Sequence, residues 1–450
     1  MDGESIPESK SKLGMIFSAF SKKQFSRQEW SWIMYDWANS SFATIMLAAV
    51  FPIFFVGMAG GEGTLGSMWW GYGASGSRIL LAIAAPIIGV IIDYKGLKKR
   101  LFITFLALGI LALFFVAPQS SWQMLLLGYV IANIFWSACN FIYDSYLPDI
   151  TTPDRMDQVS SAGYAWGYIG GSTIPFLISI ALILFGENFG IDMTMAVRIS
   201  IILTAVWWGV FSVPMLRDVH HQYGTEAPKK RVIRETFLNV IKTANKIVKN
   251  KALFLFIIAY FFYIDGVGTV ITMATAYGAE LGLGDVGMIG ALFLTQIVAF
   301  PCSIIFGMLS KKTNPIRMII VAILIYCCIC VIGFIMGFGL HEEQWFDAGT
   351  ATILFWVLAC MVGTVQGGIQ AISRSVYGRL VPPENAGEYF GFFEIFSRFS
   401  SILGPFLYAT IISITNRPDI SILSTVVLFI VGLVILLFAR KDLKAQLDAQ

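Results

Sequence analysis

Again and again along its 450 residues the chain passes through 18 or more nearly uninterrupted apolar residues, and no other feature limits its fold so severely. A run of about 20 such residues, coiled as a helix, matches the ~30 Å hydrocarbon layer of a bilayer. Lipid offers peptide groups no hydrogen bonds, so only helices and closed barrels can cross it. The runs lack the in–out alternation of barrel strands, which leaves helices. Twelve are placed at 31–57, 68–92, 101–118, 122–147, 158–185, 195–216, 251–278, 286–309, 316–338, 350–378, 388–414 and 418–439. Apolar residues form 57% of the chain and charged residues 13%, with mean hydropathy +0.74. A soluble domain would carry about 25% charged residues. The expected fold class is an all-α membrane protein with twelve transmembrane helices.

Basic residues fall in every second loop. Lys10, Lys12, Lys22, Lys23 and Arg27 precede the first run, and Lys95, Lys98, Lys99 and Arg100 follow the second. Further clusters occupy 217–251, Lys311 to Arg317, Arg374 with Arg379, and 440–444. The intervening loops carry Glu62, Glu187, Asp192, Glu280, Asp285, Glu342, Glu343 and Asp347. The positive-inside rule then puts both termini in the cytoplasm. Read this way, the net charge of +3 and pI near 8.4 report topology and lipid contact, with no nucleic-acid partner. Residues 1–30 form a cytoplasmic segment in which Leu13, Ile16, Phe17 and Phe20, among lysines, suit an interfacial helix or a tail better than a cleaved signal. The six cysteines all lie within spans and show no metal-ligand spacing, so no metal site is expected.

The longest polar stretch, 217–250, divides a first six-helix unit (31–216) from a second (251–440), with a short tail at 441–450. Within it, Ile233, Phe237, Val240, Ile241, Ala244, Ile247 and Val248 trace one helical stripe, read as a linker helix on the inner leaflet. The halves also repeat. A shift of 230 lays Pro175-Phe176-Leu177 on Pro405-Phe406-Leu407 and Asp144 on Arg374, and a shift of 229 sets Asp36 on Asp265. Internal repeats of this kind mark secondary transporters that bind solute between the repeats near the midplane.

Gly89-Val90-Ile91-Ile92-Asp93-Tyr94-Lys95-Gly96-Leu97-Lys98-Lys99-Arg100 resembles the signature between helices two and three of the major facilitator superfamily. Tyr94 departs from it, standing where a basic residue is usual. The second-half counterpart, Gly307-Met308-Leu309-Ser310-Lys311-Lys312, lacks the acid, so an asymmetric cytoplasmic lock is expected, with Asp93 meeting a base or a helix N-terminus. Tyr35-Asp36-Trp37-Ala38-Asn39-Ser40, with Leu147-Pro148-Asp149-Ile150, Asp265-Gly266-Val267 and Gly367-Gly368-Ile369-Gln370-Ala371-Ile372-Ser373-Arg374-Ser375, resembles the vacuole-effluxer-like family from about residue 28 to 440. That family includes a fungal autophagy-related vacuolar amino-acid exporter. The resemblance implies solute export by alternating access, by a chain acting as a monomer.

Polar residues inside the spans are the candidate solute site. A charge at mid-helix costs about 2.5–3.5 kcal/mol to insert, so it normally faces a protein interior or a wet cavity. Asp36 and Arg78 are such charges, as are Asp265, Glu394 and Arg398. Arg78 has no acid on its own helix, so it must find one elsewhere, with Asp36 and Asp265 the obvious candidates, bind an anionic substrate group, or reach water. Glu394 and Arg398, at i,i+4, can instead neutralise each other. Asn133, Trp136, Asn140 and Asp144 trace one face of helix four, and Gln366, Gln370 and Arg374 one face of helix ten. Tyr35, Asn39 and Tyr164 complete the expected substrate site, with Asp36, Asp265 and Glu394 as candidate proton carriers. Asp93, Asp144 and Arg374 are expected at a cytoplasmic gate. The spacing of Gly163, Gly167, Gly171 and Pro175 on helix five suits close packing or a moving contact between halves. Trp69, Trp70, Trp122, Trp207, Trp208 and Trp345 read as interfacial anchors.

The function expected from this inventory is secondary active transport of a small amino-acid-like or zwitterionic solute, in the export direction and with a proton or other ion as coupling partner. The setting is the plasma membrane of a bacterium, or a vacuolar-type membrane in a eukaryote. Lysophospholipid-like or amphipathic drug-like cargo is the alternative. A polytopic membrane enzyme would need a nucleophile and base that the spans do not supply, and no cofactor is expected.

Overall fold

The computed structural model describes residues 22–60, 65–226, 232–283, 285–341, 345 and 347–449. Among these, twelve helices are long and apolar enough to cross a membrane. They are α1 (Arg27–Ala59), α2 (Met68–Ile92), α3 (Leu97–Val116), α4 (Trp122–Ser145), α5 (Met156–Phe189) and α6 (Met193–Asp218), then α7 (Lys251–Ala274), α8 (Gly290–Lys312), α9 (Pro315–Leu340), α10 (Ala348–Leu380), α11 (Pro383–Thr415) and α12 (Pro418–Asp448). The stretch read as a tail continues α12 to Asp448, because Leu443 is fully buried and Asp442 pairs with Lys251 at 3.1 Å. The surface helix expected around Leu13 to Phe20 lies outside the described residues.

Local chemistry sets the ends. Ser26 and Glu29 form a reciprocal capping box that starts α1. Gly96 adopts φ +80°, a conformation costly for any residue with a Cβ, and this turn starts α3. Two π segments interrupt the α geometry among the described residues, one in α1 at Ala43–Ala48 and the other in α5 at Gly167–Thr173. The two lie in the same bundle, where the α5 segment packs on α1.

The helices bury two separate cores. One runs from Trp32 to Val219 and the other from Ile247 to Leu443, so each half is a six-helix bundle with its own interior. Between bundles, α2 packs on α11, and α5 packs on α8 and α10. At the α2–α11 crossing the backbones nearly touch: a Cβ on Gly89 would stand 2.4 Å from the Gly387 carbonyl oxygen, and one on Gly391 2.6 Å from that of Ala85. The small face of α5 serves a different contact. Cβ atoms on Gly167 and Gly171 would meet Ser40 Oγ at 2.8 Å and the Trp37 carbonyl at 2.5 Å, so this stripe packs α5 on α1 inside the first bundle.

The linker helix, Val232–Lys249, lies at the end of the molecule that carries the start of α1, the end of α12 and the lysine-rich loops, hereafter the basic face. Thr236, Thr243 and Ile247 are buried against the bundles, whereas Ile241 and Val248 of its apolar stripe stay 59% and 61% exposed. Trp208 is not an interfacial anchor. It is fully buried within α6 and donates its indole N–H to the Tyr35 hydroxyl at 3.3 Å.

If the backbone crossing at Gly89 sets the closed geometry, Gly89→Val will force α2 and α11 apart. Spin labels at the basic-face ends of these helices should report a longer distance than in the parent protein. An unchanged distance would show that the crossing tolerates a side chain and does not define the seam.

Candidate functional site

Arg374 of α10 is the centre of the polar interior. Its guanidinium is 96% buried and reaches out of its own bundle into the other. Nη1 donates to Asp144 Oδ1 of α4 at 2.9 Å, and Nε donates to Ser160 Oγ of α5 at 2.9 Å. Nη2 donates to the Ser160 carbonyl at 3.0 Å and stands 3.4 Å from Asp36 Oδ2 of α1. The aromatic rings of Trp32, Tyr143 and Tyr164 surround it at 4.7, 5.3 and 4.6 Å, an arrangement that favours a planar delocalised cation over a lysine. Asp36 is shared: Tyr143 donates its hydroxyl to Oδ2 at 2.7 Å, and Asn39 Nδ2 lies 3.4 Å from Oδ1. Gly163 makes room for this cluster, since a Cβ there would stand 2.4 Å from Asp36 Oδ2.

Two further contacts tie the bundles at the same face. Asp93, in the turn after α2, accepts from the backbone N–H groups of Gly387 and Glu388 at 2.7 and 2.8 Å. A carboxylate thus caps the start of α11, where unpaired amides and the helix dipole favour a negative charge. On the opposite side Asp157, in the first turn of α5, accepts from Ser310 Oγ of α8 at 2.6 Å and from Ser375 and Arg379 of α10 through very short contacts. Asp157 did not stand out in the sequence, because it lies outside the family motifs and next to a loop. Its position corresponds to Gly387 under the 230-residue shift, a signal that could have found it. The missing acid of the second-half motif has a counterpart across the interface: Lys311 stands where the first half has Asp93, and α5 supplies a carboxylate to Ser310 beside it.

A second polar group lies between α2, α4 and α11. Arg398 pairs with Glu394 at 2.6 Å. Arg78 is half-buried within electrostatic reach of Arg398 and of the Tyr129 hydroxyl, and makes no ion pair among the described residues. Neither Asp36 nor Asp265 partners it, contrary to expectation, because Asp36 is held by Tyr143 and Arg374. Asp265 is fully buried in the second bundle, where both carboxylate oxygens accept from the Gly404 N–H at 3.0 Å, beside the proline of α11. Asp36 and Asp265 are related by the repeat without being neighbours.

The remaining candidates scatter. Tyr35 packs on Tyr143 and Phe102 in the first core. Asn133 donates to Ser77 Oγ at 2.7 Å, and Trp136 donates to the Asn39 carbonyl at 3.1 Å, both links inside one bundle. Asn140 keeps a buried carbonyl without a partner, as Gln366 does its amide nitrogen. Gln370 donates to the Gln366 carbonyl at 2.9 Å and lies 3.5 Å from the Tyr168 hydroxyl.

Comparison with known proteins matches this arrangement to a family. The family described as vacuole effluxer Atg22-like matches residues 70–446. An uncharacterized MFS-type transporter, YxiO, of Bacillus subtilis (strain 168) is 40% identical over 95% of this chain and 98% of its own. Autophagy-related protein 22 of Botryotinia fuckeliana (strain B05.10) is 24% identical over 60% of this chain and 48% of its own. Among solved structures, a bacterial homologue of the iron transporter ferroportin in an outward-facing state gives a TM-score of 0.66 at 14% identity, over 92% of this chain and all of the other. The transporter FucP in the outward conformation gives 0.65 at 11% identity, over 94% of this chain and 99% of the other.

Two measurements test the seal. Removing one partner from a buried ion pair typically costs about 3–5 kcal/mol. Arg374→Ala should therefore lower the thermal midpoint markedly and raise thiol labelling of a cysteine placed at the basic face, with Arg374→Lys falling between; labelling at the parent level in both would remove Arg374 from the seal. The second test is pH. Burial pushes the Asp93 carboxyl up to about 7, against the pull of Lys98 and the two amides. Where water reaches Asp93 its value returns toward about 4, so the sealed form binds the proton more tightly. The contribution of Asp93 to the seal is complete below about 4 and is lost as pH rises through about 7. Labelling at the basic face should thus increase between about pH 6 and 8, and Asp93→Asn should flatten the profile.

Proposed function

The chain belongs to the Atg22-like vacuole effluxer family of major facilitator transporters, and on that footing we propose that it exports a small zwitterionic, amino-acid-like solute by alternating access, with the basic face toward the cytoplasm. Family membership makes it a transporter in a membrane, not an enzyme. The family description of effluxers supports the direction, and the positive-inside rule supports the orientation.

The observation that carries the substrate class is Arg78, a guanidinium inside the membrane span that has no ion-pair partner among the described residues and lies beside the Arg398–Glu394 pair. A solute carboxylate placed between Arg78 and Arg398 would relieve the repulsion of the two cations. Arg guanidinium groups bind carboxylates in bidentate fashion, which orients the ligand as well as holding it. Glu394, with part of its partner's charge drawn away, is then available to a solute ammonium. Arg78 lies on α2 and Glu394 and Arg398 on α11, one from each bundle, so occupancy links the halves that must rock past each other.

Coupling is assigned to Asp265 first, because its buried carboxyl meets a single backbone donor and no cation in its hydrogen bonds. Asp36 has a different part: it stands 3.4 Å from the Arg374 guanidinium and so belongs to the seal. A second reading, amphipathic cargo such as a lysophospholipid, is supported by an apolar cavity in the second bundle lined by Val270, Ile271, Leu292, Phe355 and Leu358, with the unpaired Gln366 amide at its wall.

Proteoliposomes carrying the purified protein test both readings. Counterflow of radiolabelled amino acids should fall by about tenfold or more in Arg78→Ala, the loss of about 1.4 kcal/mol of binding, and be partly retained in Arg78→Lys. Asp265→Asn should abolish pH-gradient-driven flux and keep counterflow. Undiminished counterflow in Arg78→Ala would sink the site, and lysophospholipid flux without amino-acid flux would establish the second reading instead.

A further inference from the structure

The cradle around Arg374 is built entirely by the first bundle. Trp32 and Asp36 belong to α1, Tyr143 and Asp144 to α4, and Ser160 and Tyr164 to α5, whereas α10 contributes the guanidinium that fills it. Contacts inside that bundle hold the walls. The Trp32 ring stacks on Tyr143 at 4.2 Å, and its indole N–H donates to the Tyr143 carbonyl at 2.9 Å. Tyr143 donates its hydroxyl to Asp36 at 2.7 Å, and Tyr35 packs behind the Tyr143 ring at 4.9 Å. None of these contacts passes through Arg374. The cradle is thus organised before its occupant arrives, the condition under which little binding energy is spent on ordering.

The occupant defines the chemistry. Three nitrogens of one planar cation donate to Asp144, to the Ser160 hydroxyl and to the Ser160 carbonyl at 2.9 to 3.0 Å. Its central carbon lies between 4.6 and 5.3 Å from three aromatic rings. An ammonium offers donors but no flat face, so it fits this array less well. With Arg374 withdrawn, Asp36 and Asp144 face a vacant place and repel each other. Water can hydrate the two acids but makes no use of the rings. A guanidinium from solution satisfies both.

We propose that this cradle is a second ligand site, separate from the one at Arg78 and Arg398, which takes a small guanidinium-bearing molecule at the basic face once Arg374 has withdrawn. Arg374 is then an internal ligand that competes with the external one. Tethered on α10, it has the higher effective concentration in the sealed form. The external ligand binds only the open form and therefore holds it open. The proposal rests on the alternating-access reading, because the cradle empties only when the bundles part.

The test uses purified full-length protein with methylguanidine as probe, urea as its neutral planar counterpart and methylammonium as a point cation, all at equal ionic strength. In the parent, methylguanidine should raise thiol labelling at the basic face about twofold or more, in a saturable manner, and neither control should. In Arg374→Ala nothing competes for the cradle, so calorimetric titration should give a Kd about tenfold or more below the parent's. Adding Asp144→Asn to that variant should weaken binding again. Should Arg374→Ala fail to fold, the labelling of the parent decides by itself. Labelling that methylguanidine leaves unchanged, or that urea raises equally, would overturn the site, as would binding to Arg374→Ala that survives Asp144→Asn undiminished. Arg78→Ala should respond to methylguanidine as the parent does; a response lost there would put the ligand in the solute path and overturn the cradle site. A parent protein that carries no amino acid yet responds to methylguanidine would sink the transport reading alone.

Discussion

Arg374 is the interaction on which the sealed form depends. It belongs to the second bundle, yet the acids, the serine and the three rings that satisfy it all belong to the first. A guanidinium with 4% exposure must be fully hydrogen-bonded or it destabilises its surroundings by several kcal/mol, on the order of 3–5. Were the bundles to separate at this face, Arg374 would exchange these partners for water, and Asp36 and Asp144 would be released with it. Solvation on one side and pairing on the other thus define two discrete states instead of a continuous range.

The seal is built from repeats that have diverged in charge. Asp93 meets α11 as an acid from a loop capping a helix start, whereas Asp157 meets α8 and α10 as an acid from a helix start receiving hydroxyls and a guanidinium. Both solutions put a carboxylate across the seam; they differ in which element supplies it. The Asp93 contact depends on a helix terminus and on burial, and so responds to proton concentration. The Asp157 contact instead brings a guanidinium, that of Arg379, to the seam.

Much of this was legible beforehand. Apolar length fixed the count of spans, because the bilayer imposes one dimension on every crossing. The Asp144–Arg374 meeting followed from helical spacing and the repeat, both of which are periodic. What could not be read was which of several candidate partners a buried charge selects. Asp265 carries the same repeat relation as Asp36, but its side chain turns to the Gly404 backbone N–H, next to the proline inside the helix. Trp208 sat among apolar residues like an anchor and proved to be core, since depth along a helix does not reveal which face meets lipid. Asp157 depends on three residues far away in sequence, and nothing local announces such a contact.

The placement of Arg374 also bears on how the protein is made. Chains emerge N-terminus first, and domains generally form in that order. An isolated α10 would insert an arginine into lipid at a cost of about 2.5–3.5 kcal/mol. By the time α10 leaves the ribosome, however, α1, α4 and α5 have already assembled a cradle of Asp36, Asp144 and Ser160 lined with aromatic rings. The first bundle is therefore a template for the second, and the cation that closes the finished transporter is also the one that docks its two halves during biogenesis.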